Sequence, residues 1–399
     1  VPGTHDPRTE ALLEPATYAG DLHLVLTELR EEAPVAWCAT PGFWALTRYV
    51  DVITASSDPA TFCSSKGILV EEIGRTYESP PTMMHTDPPA HTRYRSLVRP
   101  GFTPSVVRGL RPGLQARARR LVEALLERAD GGAVDVVEHL AVPFPIQVIA
   151  DLLGLPEGHE ERLWRWSEAA VPGATDWSEE ERGALMAEMA TELLGLAAAR
   201  RAEPRDDVVS MLAGVSEDGD ALSDAELGMF LIQLLVAGNE TTRNATSGGL
   251  VALAERPEQW QRLADDRSLV PSAVEETLRW TTPVTSFLRT AVRDTELSGV
   301  QVAAGDPVLL LYASANRDPR EFGPDADRFD VGRNPNHHVA FGFGAHFCLG
   351  AALARAELAV MLDALLDRVE RLEPAGPVER TGSSVINGIR RAPLRLTPR

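Results

Sequence analysis

The chain is short of cysteine, of lysine and of any long apolar run, and each shortage excludes something. Only three cysteines, Cys38, Cys63 and Cys348, occur in 399 residues. A disulfide framework is therefore not expected, which points to a reducing compartment and a cytoplasmic protein. No apolar stretch approaches the ~18 residues needed to span a bilayer, and the longest, Leu227 to Gly238, is interrupted by Gln233. No signal-peptide pattern is legible at the N-terminus, and Val1-Pro2-Gly3-Thr4 reads as a trimmed or tagged start. Positive charge is scarce too. Lys66 is the one lysine and the formal net charge is −19, so nucleic acid is not an expected partner. No repeat period and no low-complexity linker interrupts the chain. What remains is a globular composition, 44% apolar, long enough to bury a large core.

Chemistry concentrates in ten residues, Phe341-Gly342-Phe343-Gly344-Ala345-His346-Phe347-Cys348-Leu349-Gly350. A single cysteine sits in a glycine-rich loop, directly ahead of an apolar, alanine-rich segment, Ala351 to Leu366, at helical spacing. Cys348 then lies at or just before a helix N-terminus, where unpaired backbone N–H groups and the helix dipole favour a thiolate. The glycines let the backbone approach something large and flat. Such a thiolate can be a nucleophile, a metal ligand or an inert core thiol, and spacing alone leaves the three open. The whole string, Phe-Gly-x-Gly-x-His-x-Cys-x-Gly with six fixed positions matched, resembles the haem-ligand signature of the cytochrome P-450 family, the haem-thiolate monooxygenases. The resemblance implies that Cys348 is the axial iron ligand of haem b, and that Phe341, Gly342, His346 and Gly350 belong to the cofactor site.

Three further stretches extend the resemblance in the right order. In Met84-His85-Thr86-Asp87-Pro88-Pro89-Ala90-His91-Thr92-Arg93-Tyr94-Arg95, Asp87 reads as an N-cap, and His91 and Arg95 are then four apart on one helix face. By themselves they read as a solvated surface pair. The string resembles the family's C helix, which implies that both bind haem propionates, together with Arg289 and His346. Ser223-Asp224-Ala225-Glu226 is a capping box that opens a helix running to about Glu255. Its middle, Gly238-Asn239-Glu240-Thr241-Thr242-Arg243-Asn244, is polar, as if the helix emerged into solvent there, yet apolar residues resume at Gly248. Ala237, Gly238, Glu240 and Thr241 resemble the family's I-helix motif. That implies room for dioxygen at Gly238, a hydrogen bond from Thr241 during oxygen activation, and proton relay by Glu240. Asn239 and the continuation Thr242-Arg243-Asn244 resemble bacterial members that oxidise sterol side chains, terpenoids and alkyl termini. Glu276 and Arg279, three apart on the next helix, resemble the family's structural ion pair, with Arg328 as the implied third partner.

The remaining chain supports an element reading. A helix is expected over roughly 19–32, a hairpin from Val35-Ala36-Trp37 and Phe43 to Thr47, and a short helix from Tyr49 to Ser56. Residues 64–82 read as a functional loop with Ile68, Leu69 and Val70 as its apolar face. Further helices are expected over 105–130, 157–171 and 178–200, with Pro172-Gly173-Ala174 joining the last two and with Trp164, Trp166 and Trp177 in the core or against a ligand. Val134 to Leu153 reads as an apolar segment broken by Pro143 and Pro145. Leu297-Ser298-Gly299-Val300 and Val308 to Tyr312 read as strands, and Ser384 to Ile389 as a hairpin with an Asn-Gly turn. His337-His338 lacks the neighbouring ligands of a metal site. The fold implied is mainly α with a small β-rich part from about 33–56, 285–312 and 385–397. It is the triangular helical prism of the P-450 family, in one catalytic domain over 1–399.

The implied activity is hydroxylation of a hydrophobic small molecule, a sterol, terpenoid or similar lipid, using O2. The pocket would be formed by Ile68, Leu69, Val70, Leu234, Ala237, Val284, Phe287 and Val385. Electrons would come from a ferredoxin and its reductase, since no flavin or iron–sulfur domain is present. These partners would dock over the cysteine-loop side, with Arg93 and Arg99 in a basic patch. Tailoring of a polyketide or other secondary metabolite is the rival reading. A haem sensor, a lipid-binding protein and a peroxide-driven enzyme are more distant ones, because none of these needs the Glu240-Thr241 pair.

Overall fold

The longest helix sets the frame. Ser223 Oγ accepts from the Glu226 N–H at 3.2 Å and the Glu226 carboxylate accepts from the Ser223 N–H at 2.8 Å, so the capping box forms and two orphan donors are satisfied. The helix runs Asp224–Ala254, 31 residues, roughly 46 Å at 1.5 Å per residue. The structure is a computed structural model that describes residues 5–75, 82–155, 158–170, 177–216 and 219–399.

In chain order the N-terminal part holds α1 (Pro15–Ala19), α2 (Leu22–Glu32), β1 (Val35–Cys38), β2 (Phe43–Leu46), α3 (Tyr49–Ser57) and β3 (Phe62–Cys63). A helical run follows: α4 (Ala90–Val98), α5 (Pro104–Ala129), the short β4 (Ala133–Asp135), α6 (Pro143–Leu152), α7 (Glu160–Ala170), α8 (Glu179–Ala202) and α9 (Val208–Gly214). The long helix is α10, followed by α11 (Pro257–Asp265) and α12 (Val270–Thr281). Then come β5 (Ser286–Ala291), β6 (Thr295–Leu297), β7 (Val300–Val302), β8 (Pro307–Leu311), α13 (Tyr312–Ala315) and α14 (Pro319–Phe322). The chain ends with α15 (Ala351–Arg368), β9 (Val369–Pro374), β10 (Glu379–Arg380), β11 (Ile389–Arg391) and β12 (Pro393–Pro398). The mainly helical architecture with small sheets is as expected.

α10 packs against α6, α7, α8, α12 and α15, inside the largest apolar cluster. The expected N-terminal hairpin is present, with Val35 opposite Leu46 and Cys38 opposite Phe43. It joins a five-stranded sheet of order β1-β2-β8-β5-β3, in which β2 and β8 run parallel. Alternate residues feed two cores: Trp44, Leu46, Val308 and Leu310 on one face, Phe43, Ala45, Leu309 and Leu311 on the other. A sheet buried on both faces needs near-continuous apolar strands, which is what β2 and β8 are.

Several expectations are corrected. Asp87 does not cap α4; its carboxylate accepts from the Ser64 and Ser65 N–H groups at 2.7 and 3.1 Å and ties the preceding loop down. Pro143 starts α6 at its first position, where no N–H is needed, and so does not break a helix. Leu297 to Val300 is the tight turn between β6 and β7, with Ser298 at φ 44° and Gly299 at φ 82°. The Asn387-Gly388 pair is not a two-residue turn, because β10 and β11 are joined by the longer loop 381–388. The C-terminal β region is wider than 385–397: β12 pairs with β9 and with β4. The expected linker Pro172-Gly173-Ala174 lies outside the described residues.

Arg328 is not the third member of the buried ion cluster. Glu276 and Arg279 are fully buried and bonded at 2.7 Å, and the third side chain is Arg333, 3.2 Å from Glu276. Arg328 contributes only its carbonyl, which accepts from Arg279 at 3.0 Å, while its side chain points outward. The Asp330 N–H and the Asn336 amide fill the remaining lone pairs of Glu276. Such saturation is what a buried carboxylate requires, and it fixes α12 to the segment leading into the cysteine loop.

Candidate active site

The cysteine loop is shaped by glycines in the left-handed region. Gly342 has φ 68° and Gly344 φ 70°, and a Cβ on Gly344 would collide with the Ser56 carbonyl oxygen, so the loop presses onto α3. The Cys348 N–H donates to Phe341 O at 2.9 Å, and Gly350 is the N-cap of α15. Cys348 therefore stands at the helix N-terminus, as expected. Its thiol is nevertheless raised above the usual range. Burial raises it, and the Gly350 N–H, Arg95 and Arg355 oppose that without overcoming it. Desolvation of a thiolate outweighs a single helix N–H.

The loop forms one wall of a cavity that also takes in α4, β5, α10 and the start of α15, with about 1520 Å3 of atom-free space, mouth included. Phe343 and Phe347 are among the most exposed large apolar residues of the protein, and both face this cavity. His91, Arg95, Arg289 and His346 gather along its edge. The rings of His91 and His346 lie 4.1 Å apart, and the buried His91 Nε2 has no protein partner. His346 contacts Ser64 Oγ at 3.2 Å, and Arg289 donates to the Leu288 carbonyl at 2.7 Å. Burial, and then repulsion among these same groups, depresses His91 and takes His346 down to about 3. Burial likewise lowers Arg95. Among the described residues none of the four is ion-paired with a carboxylate.

Opposite the cysteine, α10 presents Ala237, Gly238, Thr241 and Thr242. The Thr241 hydroxyl donates to the Ala237 carbonyl at 2.7 Å. Gly238 lines the cavity, and its missing side chain also serves the packing of the helix. A Cβ there would meet Ile149 Cδ1 at 2.6 Å, so the glycine lets α10 approach α6. Glu240 points away from the cavity into a buried polar cluster. Arg243 donates to Glu240 at 3.2 Å and also to Glu168 of α7, and Asn239 Nδ2 donates to Ser167 at 2.9 Å. Burial, partly offset by Arg243, raises Glu240 to about 7. The helix does not emerge into solvent here, since Asn239, Glu240, Arg243 and Asn244 are all buried.

Of the expected pocket residues, Ile68, Leu234, Ala237, Val284 and Phe287 line the cavity, and Leu69, Val70 and Val385 do not. Ile68 is held by its carbonyl, which accepts from the Leu288 N–H at 2.7 Å, whereas Val70 packs on the opposite core with Leu12 and Tyr18. Val385 pairs through its backbone with Thr285. Met83, Met84, Phe102, Phe230, Gln233 and Glu357 line it without having been expected. Glu357 had a signal: a lone carboxylate four residues after Leu353 and four before Met361, on the buried face of α15. None of Trp164, Trp166 and Trp177 reaches the cavity. Arg93 is paired with Glu226 at 2.8 Å and with Asp220, so its charge is offset by two carboxylates. His337 and His338 pair with Glu321 and Glu275, each at 3.2 Å.

Unneutralised donors along one edge, flat exposed aromatic faces and one cysteine are what a dicarboxylate porphyrin with a thiolate-ligated iron needs. The orphaned His91 Nε2 supports that fit. The site is thus of the haem-thiolate class. The sequence profile described as Cytochrome P450 matches residues 184–384. The methyl-branched lipid omega-hydroxylase of Mycobacterium tuberculosis is 40% identical over 383 residues, covering 92% of this chain and 89% of that protein. The steroid C26-monooxygenase of Mycolicibacterium smegmatis is 36% identical, covering 92% and 88%. The crystal structure of CYP108D1 from Novosphingobium aromaticivorans superposes with a TM-score of 0.89 at 34% identity, over 100% of both chains. This chain belongs to the cytochrome P450 family and is a monooxygenase. Among the described residues no helix is long and apolar enough to cross a membrane.

Proposed function

We propose that this monooxygenase hydroxylates a sterol, terpenoid or similar lipid near one end, with haem b as cofactor and a separate ferredoxin and reductase as electron source, in one catalytic domain in the cytoplasm. The observation that carries the substrate class is the wall of the cavity away from His91, Arg95, Arg289 and His346. Ile68, Met83, Phe102, Phe230, Leu234 and Phe287 make it, and Gln233 is its one long polar side chain. Apolar burial contributes roughly 25 cal/mol per Å2, so a lipid needs no charged anchor to bind there. The relatives named as lipid and steroid hydroxylases point the same way.

His91, Arg95, Arg289 and His346 would hold the two haem propionates, and Cys348 would hold the iron through its sulfur. When bound, the haem supplies oxygen activation and insertion of one oxygen atom into a C–H bond. The protein's part is binding and proton handling. The apolar wall excludes water and orients the chain end of the substrate. Thr241 carries a proton at Oγ1 on the cavity wall. One residue earlier, Glu240 has a proton affinity near neutrality, suited to releasing and regaining a proton. Gly342 and Gly350 shape the loop around the cysteine, and Phe341 packs beside it.

A panel of sterols, terpenoids, branched fatty acids, macrolides and aromatic metabolites tests this, read by the haem spectrum and then by product analysis with ferredoxin, reductase and NAD(P)H, or with peroxide alone. Spectral shifts and hydroxylated products from lipids with the ferredoxin system are expected. Shifts and products from the macrolides or aromatic metabolites alone would favour the secondary-metabolite reading.

A further inference from the structure

Glu240 lies on the side of α10 that faces away from the substrate cavity, so protons must come to it from elsewhere. A small cavity adjoins it, lined by Glu168, Glu240, Arg243, Asn244, Thr381 and Ser383 among others. It offers about 10 Å3 to the centre of a water molecule, close to what one water requires. Its polar surroundings are incompletely satisfied by protein. Arg243 Nε, Asn244 Nδ2 and Thr381 Oγ1 are buried with no protein partner. Asn244 is 1% exposed, and its Oδ1 already accepts from the Ile389 N–H at 3.2 Å, which turns the unpartnered amide N–H2 the other way.

Asn244 also lines a second, far larger cavity between α2 and the C-terminal half of α10. That cavity offers about 580 Å3 on the same measure and is walled by His23, Glu255, Trp280, Arg317 and Arg380 among others. Asp21 and Glu255, both exposed, stand at its rim. The partition between the two cavities is made of Asn244 and the paired segments 380–381 and 387–389. A polar cavity of this size next to solvent fills with water.

We infer that protons reach Glu240 from this cavity behind α10, through one water held by Asn244 and Thr381, and not through the substrate pocket. The inference rests on Glu240 being the acid that serves the reaction. Asn244 does not carry the proton. Its N–H2 donates to the water oxygen and leaves the water's own hydrogens directed at the Glu240 carboxylate and Thr381 Oγ1. The water's second lone pair takes a proton from a water of the larger cavity beside Asn244, which lines both cavities, as the held water gives its own proton to Glu240; Thr381 Oγ1, which lines the small cavity, accepts the water's other hydrogen. The other charged groups facing Glu240 are Glu168 of α7 and Arg243 of α10, which hold its charge but offer no path to solvent, because both are buried. Asn244 and Thr381 are positioning residues. This arrangement admits protons while the substrate side stays apolar and dry.

The test is infrared spectroscopy of the haem-loaded protein transferred into D2O. The carboxylic C=O band that disappears in Glu240→Gln identifies Glu240. Its isotope shift is expected within the mixing time in the parent protein. In Asn244→Leu and in Thr381→Val it should slow about ten-fold, the effect of one lost orienting hydrogen bond, while Thr381→Ser, which keeps the hydroxyl, should behave as the parent. Thr381→Val removes no backbone contact and stands in if Asn244→Leu, which also loses the Ile389 bond, fails to fold. Exchange as fast in Thr381→Val as in the parent would overturn the route and leave Glu240 in its role. Absence of any band lost in Glu240→Gln between pH 5 and 8 would overturn the role of Glu240 itself, and the route with it.

Discussion

Glu357 is the one carboxylate on the cavity wall, and its burial has a consequence at the scale of a single residue. It is 3% exposed, and its Oε2 has no protein partner. Burial raises it from 4.5 to about 8. Between those values the folded protein holds a proton that the unfolded chain has released, so stability falls as pH rises through this window. The loss is on the order of 5 kcal/mol across the window. Glu357→Gln keeps the shape and removes the titration. Urea midpoints measured at pH 5.5 and pH 8 should drop in the parent protein and stay level in the variant. An equal drop in both would mean that Glu357 does not carry the pH dependence. The glutamate was readable in the sequence only as an interruption of an apolar helix. Its burial comes from α5, α10 and α12, which pack on α15 and which no local pattern reports.

At the scale of elements, two contacts decide how helices seat. The first is the buried cluster on α12. Removing Arg333 leaves Glu276 short of one of its two cationic partners, and Arg333→Ala should destabilise by ~3 kcal/mol. Arg328→Ala removes an outward-facing side chain and should stay within about 0.5 kcal/mol. Chemical unfolding of the two variants checks this; equal losses would put both arginines in the cluster. The pair Glu276 and Arg279 was readable because three-residue spacing puts both on one helix face. The third partner was not, because it arrives from a loop more than fifty residues on, and two arginines compete for the place within six positions. The second contact is Gly238 against Ile149. Gly238→Ala should push α10 off α6 and cost ~1–3 kcal/mol. Ile149→Val trims the methyl that a Cβ would meet, so the double variant should regain most of the loss. No recovery would mean that the glycine's role lies in the cavity and not between the helices. Strands β4 and β9 teach the same lesson about range. Strand β4 is only three residues long and β9 lacks strict alternation, and β12 is the strand that pairs with both.

At the scale of the whole molecule, four segments far apart in sequence close on one cavity: α4 with His91 and Arg95, the long α10, β5 with Arg289, and the loop bearing His346 and Cys348. Each was legible because its motif is local and contiguous. Which residues of the loop after β3 face inward was not legible. A single turn separates Ile68, on the cavity, from Val70, on the opposite core, and only the sheet beneath them fixes that choice. The convergence is what fits the cavity to a haem, and Cys348 is the residue proposed to hold its iron. The most direct test is the spectrum of the reduced, carbon-monoxide-bound protein, compared between the parent and Cys348→Ser at matched haem content. The parent should show the absorption of thiolate-ligated haem and the variant should lose it, with the helical content of both unchanged. A variant that kept that absorption would contradict the assignment of Cys348 as the ligand.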